Sequence, residues 1–203
     1  MMTLEEYRQD PCGKLSMPLW KWNSITVPDN LTIIHHRDYL PRSGCSESRF
    51  FRLYHDLCEI PKAELPGLEI NQIGEGDYDT VVDIIRTSYP GIQLDREWLE
   101  GLTRTPVYTP ELWLMARWDG VPAGCVLADY DQNAQEGILE WVQVMPAFRR
   151  RGVGKALVCE ALRRMQGDFV TVSGDLDNKT SPELLYRSCG FTGDDLWHIV
   201  RNG

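Results

Sequence analysis

The residues best equipped for chemistry are crowded between positions 142 and 155, in the stretch Val142-Gln143-Val144-Met145-Pro146-Ala147-Phe148-Arg149-Arg150-Arg151-Gly152-Val153-Gly154-Lys155. The apolar run to Val144 reads as a strand, and Pro146, which has no N–H to offer, stops its ladder. A helix is expected to begin near Gly152. A helix start leaves backbone N–H groups unpaired and carries a partial positive charge of about half an elementary charge, so it binds anions. Gly152 and Gly154 lack a Cβ, which lets a ligand's oxygens approach the backbone. Arg149, Arg150, Arg151 and Lys155 add full charges. A charge-assisted hydrogen bond to a phosphate contributes roughly 1.5–3 kcal/mol, so two or three would dominate affinity.

Two familiar phosphate loops do not fit. A Walker loop, G-x-x-x-x-G-K-[ST], needs a hydroxyl after its lysine and a glycine five places before its second glycine. Ala156 and Arg149 stand there. A dinucleotide fingerprint needs three glycines at G-x-G-x-x-G, and the third place is Leu157.

What fits is R-x-x-G-x-G after a strand ending V-x-P. It is followed downstream by Asn178-Lys179-Thr180-Ser181-Pro182-Glu183-Leu184-Leu185-Tyr186-Arg187-Ser188-Cys189-Gly190-Phe191. The first motif resembles the coenzyme A loop of the GNAT superfamily of N-acetyltransferases, and the second its N-x-x-A-x-x-L-Y-x-x-x-G-F segment. The resemblance covers about 67–202. It implies an α/β fold with a mixed, mostly antiparallel central sheet, flanking helices, and the family's fourth and fifth strands splayed apart. It implies acetyl-CoA, or coenzyme A after transfer, as cosubstrate, and no metal. Val142 and Val144 would offer backbone groups to the pantetheine arm. The amides from Arg150 through Gly152, Val153 and Gly154 to Lys155 would cradle the pyrophosphate, with Arg149 beside them. Asn178 would help line the slot between the splayed strands, and Tyr186 would be the acid at the coenzyme thiol. The sequence departs from the pattern once: Asn178 and Tyr186 are eight residues apart, where seven is commonest.

Acyl transfer to an amine needs a neutral amine. For a lysine-type amine of pKa ~10.4, deprotonation at pH 7 costs roughly 4.6 kcal/mol. A carboxylate usually manages it, directly or through water. Glu140 is the first candidate, because in a regular strand it shares a face with Val142 and Val144, although a bulge between them would flip it. Asp175 and Asp177 are alternatives. The departing thiolate needs a donor. Phenol (pKa ~10) is a weaker acid than a thiol (~8.5), so Tyr186 is expected to act mainly as a hydrogen-bond donor.

The surrounding elements must hold these groups. Leu68–Ile70 is expected to be a short strand, Asp79–Ser88 and Asp95–Leu102 helices, and Glu111–Trp118, Ala123–Asp129 and Gly137–Val144 strands, with Asp119-Gly120 as a hairpin turn. A helix over Gly152–Met165, a strand over Phe169–Ser173 and a helix over Pro182–Cys189, stopped by Gly190, follow. A last strand pair is expected around Gly193-Asp194. This is a layered α/β order. Residues 1–66 read as an extension packing on a main domain of 67–203. They hold half of the twelve prolines. Phe50, Leu53, Tyr54 and Leu57 predict a helix there, capped by Ser48, and Leu31–Ile34 a strand; Trp20 and Trp22 read as apolar anchors.

The 203 residues and net charge of −9 bound the rest. Six cations against one acid give the 147–165 segment +5, so the remainder carries −14. A basic island on an acidic chain suits a compact anion and argues against nucleic acid as partner. No apolar run suits a membrane helix, and Met1-Met2-Thr3-Leu4-Glu5-Glu6 is no leader, so the cytoplasm is the expected location. The expected partner is a small-molecule or peptide amine acceptor, and the expected assembly a monomer or homodimer. The six cysteines form no C-x-x-C pair, and no histidine lies at zinc spacing from them. They read as reduced thiols, Cys189 among them. His35 and His36 are neighbours on a strand and point opposite ways.

Overall fold

The structure is a computed structural model that describes residues 3–13, 29–41, 44–89 and 91–201. Trp20 and Trp22 lie outside them. The class is mixed α/β. The described residues form eight strands, mostly antiparallel: β1 (Leu31–His35), β2 (Ser46–His55), β3 (Leu68–Gln72), β4 (Tyr108–Trp118), β5 (Val121–Asp131), β6 (Glu136–Val144), β7 (Phe169–Asp175) and β8 (Thr192–Arg201). Among the described residues the helices are α1 (Leu4–Gln9), α2 (Tyr78–Ser88), α3 (Arg96–Leu102), α4 (Val153–Arg164) and α5 (Pro182–Ser188). The chain divides into two compact units: one of 1–55, 171–187 and 191–203, the other of 56–170 and 188–190.

The second unit carries β3, β4, β5 and β6 as an antiparallel run. Asp119 and Gly120 both have positive φ (49° and 81°), as a two-residue turn matched to strand twist requires. One face of the sheet packs Trp113, Met115, Cys125 and Leu127 against the apolar stripe Val81, Val82, Ile84 and Ile85 of α2 and against Leu99 of α3. Asp95 caps α3 by accepting from the Trp98 amide at 2.9 Å. The opposite face receives α4, whose Leu157, Val158, Ala161 and Leu162 are buried. Contact there is close at Gly124, where a Cβ would lie 2.5 Å from the Gln143 carbonyl oxygen and 3.2 Å from Leu157 Cδ1. Backbone cannot yield as a side chain can. Gly124→Ala is therefore expected to cost about 1–3 kcal/mol, read as a fall of about 5 °C in Tm at ~2–4 °C per kcal/mol.

The first unit orders its strands β1-β8-β2-β7. Here the structure corrects the sequence reading twice. Phe50–Leu57 is not a helix. It lies within and just beyond the ten-residue strand β2, which pairs with β8 from Ser46↔Arg201 to Tyr54↔Thr192. The apolar spacing fits a helix because both faces of β2 are covered: Phe51, Arg52 and Leu53 are consecutive and all buried. A strand hidden on both sides loses its alternation. Gly193-Asp194 likewise makes no hairpin. Between Arg52↔Asp195 and Tyr54↔Thr192 the register shifts, so these two residues bulge within one strand, with Gly193 at φ 109°.

Arg52 is the central polar feature of this unit. It is fully buried, and its guanidinium donates to Pro11 O (2.9 Å), Tyr7 Oη (2.8 Å) and Ser173 Oγ (3.2 Å). Three of the four histidines make side-chain hydrogen bonds here. His35 bonds Asp195 (3.0 Å), while His36, His198 and Glu47 form a chain with contacts of 2.8 and 2.6 Å. Among the described residues no cluster of three or more His, Cys, Asp or Glu could hold a metal ion, and no helix is long and apolar enough to cross a membrane.

Candidate active site

The V-x-P strand end, the turn and the helix start all lie in the second unit, in the expected order. β6 ends at Val144, Pro146–Phe148 form one 3-10 turn, and Gly152 is the N-cap of α4 in the left-handed region, φ 90°. Arg150 is also left-handed, φ 62°. These two positions fold the chain sharply into the helix. No side chain caps α4, and the first amide of this helix to bond back along the chain is that of Ala156, to Gly152 O at 3.0 Å. The earlier amides are therefore left to an external acceptor. Gly152 also packs closely: a Cβ there would meet Leu65 Cδ1 at 3.2 Å.

The four cations do not share one task. Arg149 is turned inward, donating to Val144 O and to Ser88 O, both at 3.0 Å. It ties the strand end to the end of α2, so its charge serves the loop's shape. Arg150 and Arg151 are exposed, with Arg151 over the Phe148 ring at 5.8 Å, and Lys155 is half-buried. Val142 and Val144 are half-buried.

Glu140 departs from the regular-strand expectation. Leu127 pairs with Trp141 but Ala128 pairs with Leu139, so Glu140 is the extra residue of a β-bulge. From Trp141 onward the faces are exchanged. Trp141 packs toward the α2/α3 core and meets Trp98 edge-on at 5.4 Å. Glu140 itself is exposed, and its charge acts on Asp129 of β5. Asp129 had no place among the candidates. Burial, then Glu140, raise its carboxyl to about 7, with the Trp113 indole pulling weakly the other way. Tyr108, paired with Asp129 across the ladder, is pushed up to about 12 by burial and by Tyr78. An acid closing the otherwise apolar run Ala123–Asp129 was the only sequence signal.

The second motif lies mainly in the first unit. Asn178 Oδ1 accepts from the Thr180 amide (2.9 Å) and hydroxyl (2.8 Å), so it shapes the turn before α5. The extra residue in the spacing is absorbed there, with Ser181 at φ 50°. Gly190 at φ 101° and the Phe191 amide bonded to Tyr186 O at 3.2 Å stop the helix as expected. Tyr186 is buried, between the rings of Phe51 (6.1 Å) and Phe191 (5.8 Å). Asp177 pairs with Arg49, whose hydrogen bond holds its carboxyl down. Cys189 is fully buried with Cys159 as a thiol neighbour, and so presents no sulfur to a substrate.

Comparison with known proteins agrees with this geometry. The Acetyltransferase (GNAT) family matches residues 78–191, more than half of the chain. A GCN5-related N-acetyltransferase from Sphaerobacter thermophilus superposes with a TM-score of 0.66 at 21% identity, over 78% of this chain and 53% of that one. This chain thus spans about half the length of that protein. A GCN5-related N-acetyltransferase from Kribbella flavida gives 0.54 at 15% identity, over 79% and 61%. A ribosomal-protein alanine N-acetyltransferase from Escherichia coli gives 0.53 at 15%, over 66% and 92%. At such identities the likeness is one of fold. No curated protein sequence matches the chain. The family match, covering both motifs and the elements that carry them, places the chain in the GNAT acetyltransferase family.

Proposed function

We propose that the protein is an acetyl-CoA-dependent N-acetyltransferase that moves an acetyl group to a primary amine by direct attack in a ternary complex. The catalytic region is 67–203, with 1–66 as its extension. The observation that carries this reading is the uncapped start of α4 behind a left-handed Gly152, with Arg150 and Arg151 exposed beside it. An anion of pyrophosphate size is what such a start lacks. The donor supplies an activated acetyl group as its thioester.

The chain's own residues then divide the work. The amides from Arg150 to Lys155 hold the pyrophosphate. Backbone groups of Val142 and Val144 align the pantetheine arm, and Asn178 keeps the turn before α5 in shape. Glu140 stands on the bulge as the carboxylate at the amine. Tyr186 donates a hydrogen bond to the departing sulfur, a role that rests on the family pattern. No metal takes part, and the acceptor is a small or peptide amine rather than nucleic acid or membrane. The cytoplasm, and a monomer or homodimer, remain the expected setting.

Calorimetry with acetyl-CoA and with free coenzyme A tests the reading first. Micromolar binding of both is expected, followed by thiol release on adding primary amines. Absence of binding would remove the donor and with it the transferase reading. Binding without thiol release across a broad amine panel would instead support a non-catalytic acyl-CoA-binding regulator.

A further inference from the structure

The ladders on both sides of Asp129 are broken where they pass it. On one side Tyr108 pairs with Asp129, but the next matched pair is Trp113↔Leu127, so 109–112 of β4 detour around it. On the other side Ile138 pairs with Asp129, and two residues on Glu140 is the extra residue of β6. Bulges re-aim side chains and are enriched beside active sites. Asp129 thus occupies a strand position whose neighbours have moved aside, and it is half-buried, open to solvent in part.

The sheet face beside Asp129 is aromatic. Trp113 meets Tyr108 edge-on at 4.8 Å and Tyr78 at 6.5 Å, and Trp98 with half-buried Trp141 stands on the same face. The Trp113 Nε1–H, on a residue 1% exposed, is directed at Asp129. Two neighbouring carboxylates and the half-buried rings of Tyr108, Trp98 and Trp141 share one preference, for an organic cation whose carbon body can lie on the rings.

We propose that Asp129 is the catalytic residue that binds the acceptor's ammonium and takes its proton, with Glu140 drawing the cation in, and that the acceptor is a primary amine with an apolar or aromatic body. This rests on the transferase reading above. In balanced form, R–NH3+ gives one proton to the Asp129 carboxylate. The free nitrogen forms the N–C bond to the acetyl carbon as the C–S bond breaks, and its second proton ends on the thiolate sulfur. Asp129 then returns its proton to water.

The groups facing Asp129 give the pH sign. Glu140 on β6 raises it, burial raises it more, and Trp113 on β4 opposes weakly. Tyr108 stays protonated at neutral pH, held up by burial, Tyr78 on α2, and the charges of Glu111 and Glu75. As a base Asp129 must be ionised, so kcat/KM rises with pH through about 7.

The test uses the full chain, with phenethylamine, tryptamine and octylamine as probes. Binding is followed by tryptophan fluorescence, and turnover by thiol release from pH 5.5 to 9. Wild type is expected to bind at least one probe; Asp129→Asn should weaken that binding at least tenfold and lower kcat/KM at least 100-fold. The variant should also lose the rising limb near pH 7 while still binding acetyl-CoA. Glu140→Gln should keep the limb and move it to lower pH, and Asp129→Glu should retain it at reduced kcat. A limb lost in Glu140→Gln and merely shifted in Asp129→Asn would reverse the roles and overturn the proposal, as would no probe binding to wild type. Failure of acetyl-CoA to bind wild type would sink the transferase reading, while the fluorescence titrations would still decide whether Asp129 holds an ammonium.

Discussion

Replacing Arg151 by Glu together with Gly152 by Asp is expected to weaken acetyl-CoA binding more than 100-fold, below detection by calorimetry. Three effects add. Gly152 has φ 90°, a conformation that side chains adopt at a cost. Its Cβ would press on Leu65 at 3.2 Å. The new carboxylate would then sit at the uncapped start of α4, where it both caps the helix and repels a phosphate. Changing Arg151 reverses the charge of an exposed cation in the same turn. Losing one charge-assisted bond, at roughly 1.5–3 kcal/mol, is already tenfold or more, and a repulsive neighbour adds to it. The inward-turned Arg149 predicts a contrast: its bonds run to two carbonyls of the fold, so its loss acts through loop shape. Gly152→Asn is the control, since it keeps the strain but not the charge. If the double variant bound as well as wild type, the pyrophosphate would have to bind elsewhere.

Arg52→Met is expected to lower stability by about 3–5 kcal/mol, the range for breaking a buried, charged hydrogen-bond network from one side. At ~2–4 °C per kcal/mol this is a drop in Tm of about 10 °C. The side chain is fully buried and satisfies the carbonyl of Pro11, the hydroxyl of Tyr7 and that of Ser173. Methionine keeps the stem's volume and removes every donor, so the loss reports desolvated partners rather than a cavity. Adding Tyr7→Phe should then cost less than it does in wild type, because one hydroxyl loses the bond only once. Thermal melts of the four proteins form a double-mutant cycle. Additive effects would show that the Arg52–Tyr7 bond carries no coupling.

The elements from Leu68 to Ser188 were legible in the sequence, because local rules govern them. Asp119-Gly120 can turn by itself, Asp95 caps its own helix, and the stripe of α2 faces a single partner. The turn into α4 was legible for the same reason: its glycines and cations lie within seven residues. What escaped were features set by pairing at a distance. β2 reads as a helix until β8, about 150 residues away, is laid against it. Glu140's change of face depends on one unmatched residue between β5 and β6. Asp129 gains its character only when Glu140 and the buried aromatic face come together around it. Charge alone marked Arg149 for phosphate; its bonds to the Val144 and Ser88 carbonyls could not be read from the sequence, because Ser88 is brought to it by the fold.

The strand order of the first unit bears on how the molecule is made. β2 lies between β8 and β7, so it meets its β8 partner only after the intervening residues 56–170 have been made. At ~5–20 residues per second, β2 waits roughly 7–30 s with Phe51 and Leu53 unburied. During that interval it is an unpaired apolar strand, the kind of segment that chaperones hold and that neighbouring nascent chains can capture. High separation between paired strands also predicts slow, late closure of this unit. The yield of folded protein thus depends on protecting β2 until β8 arrives.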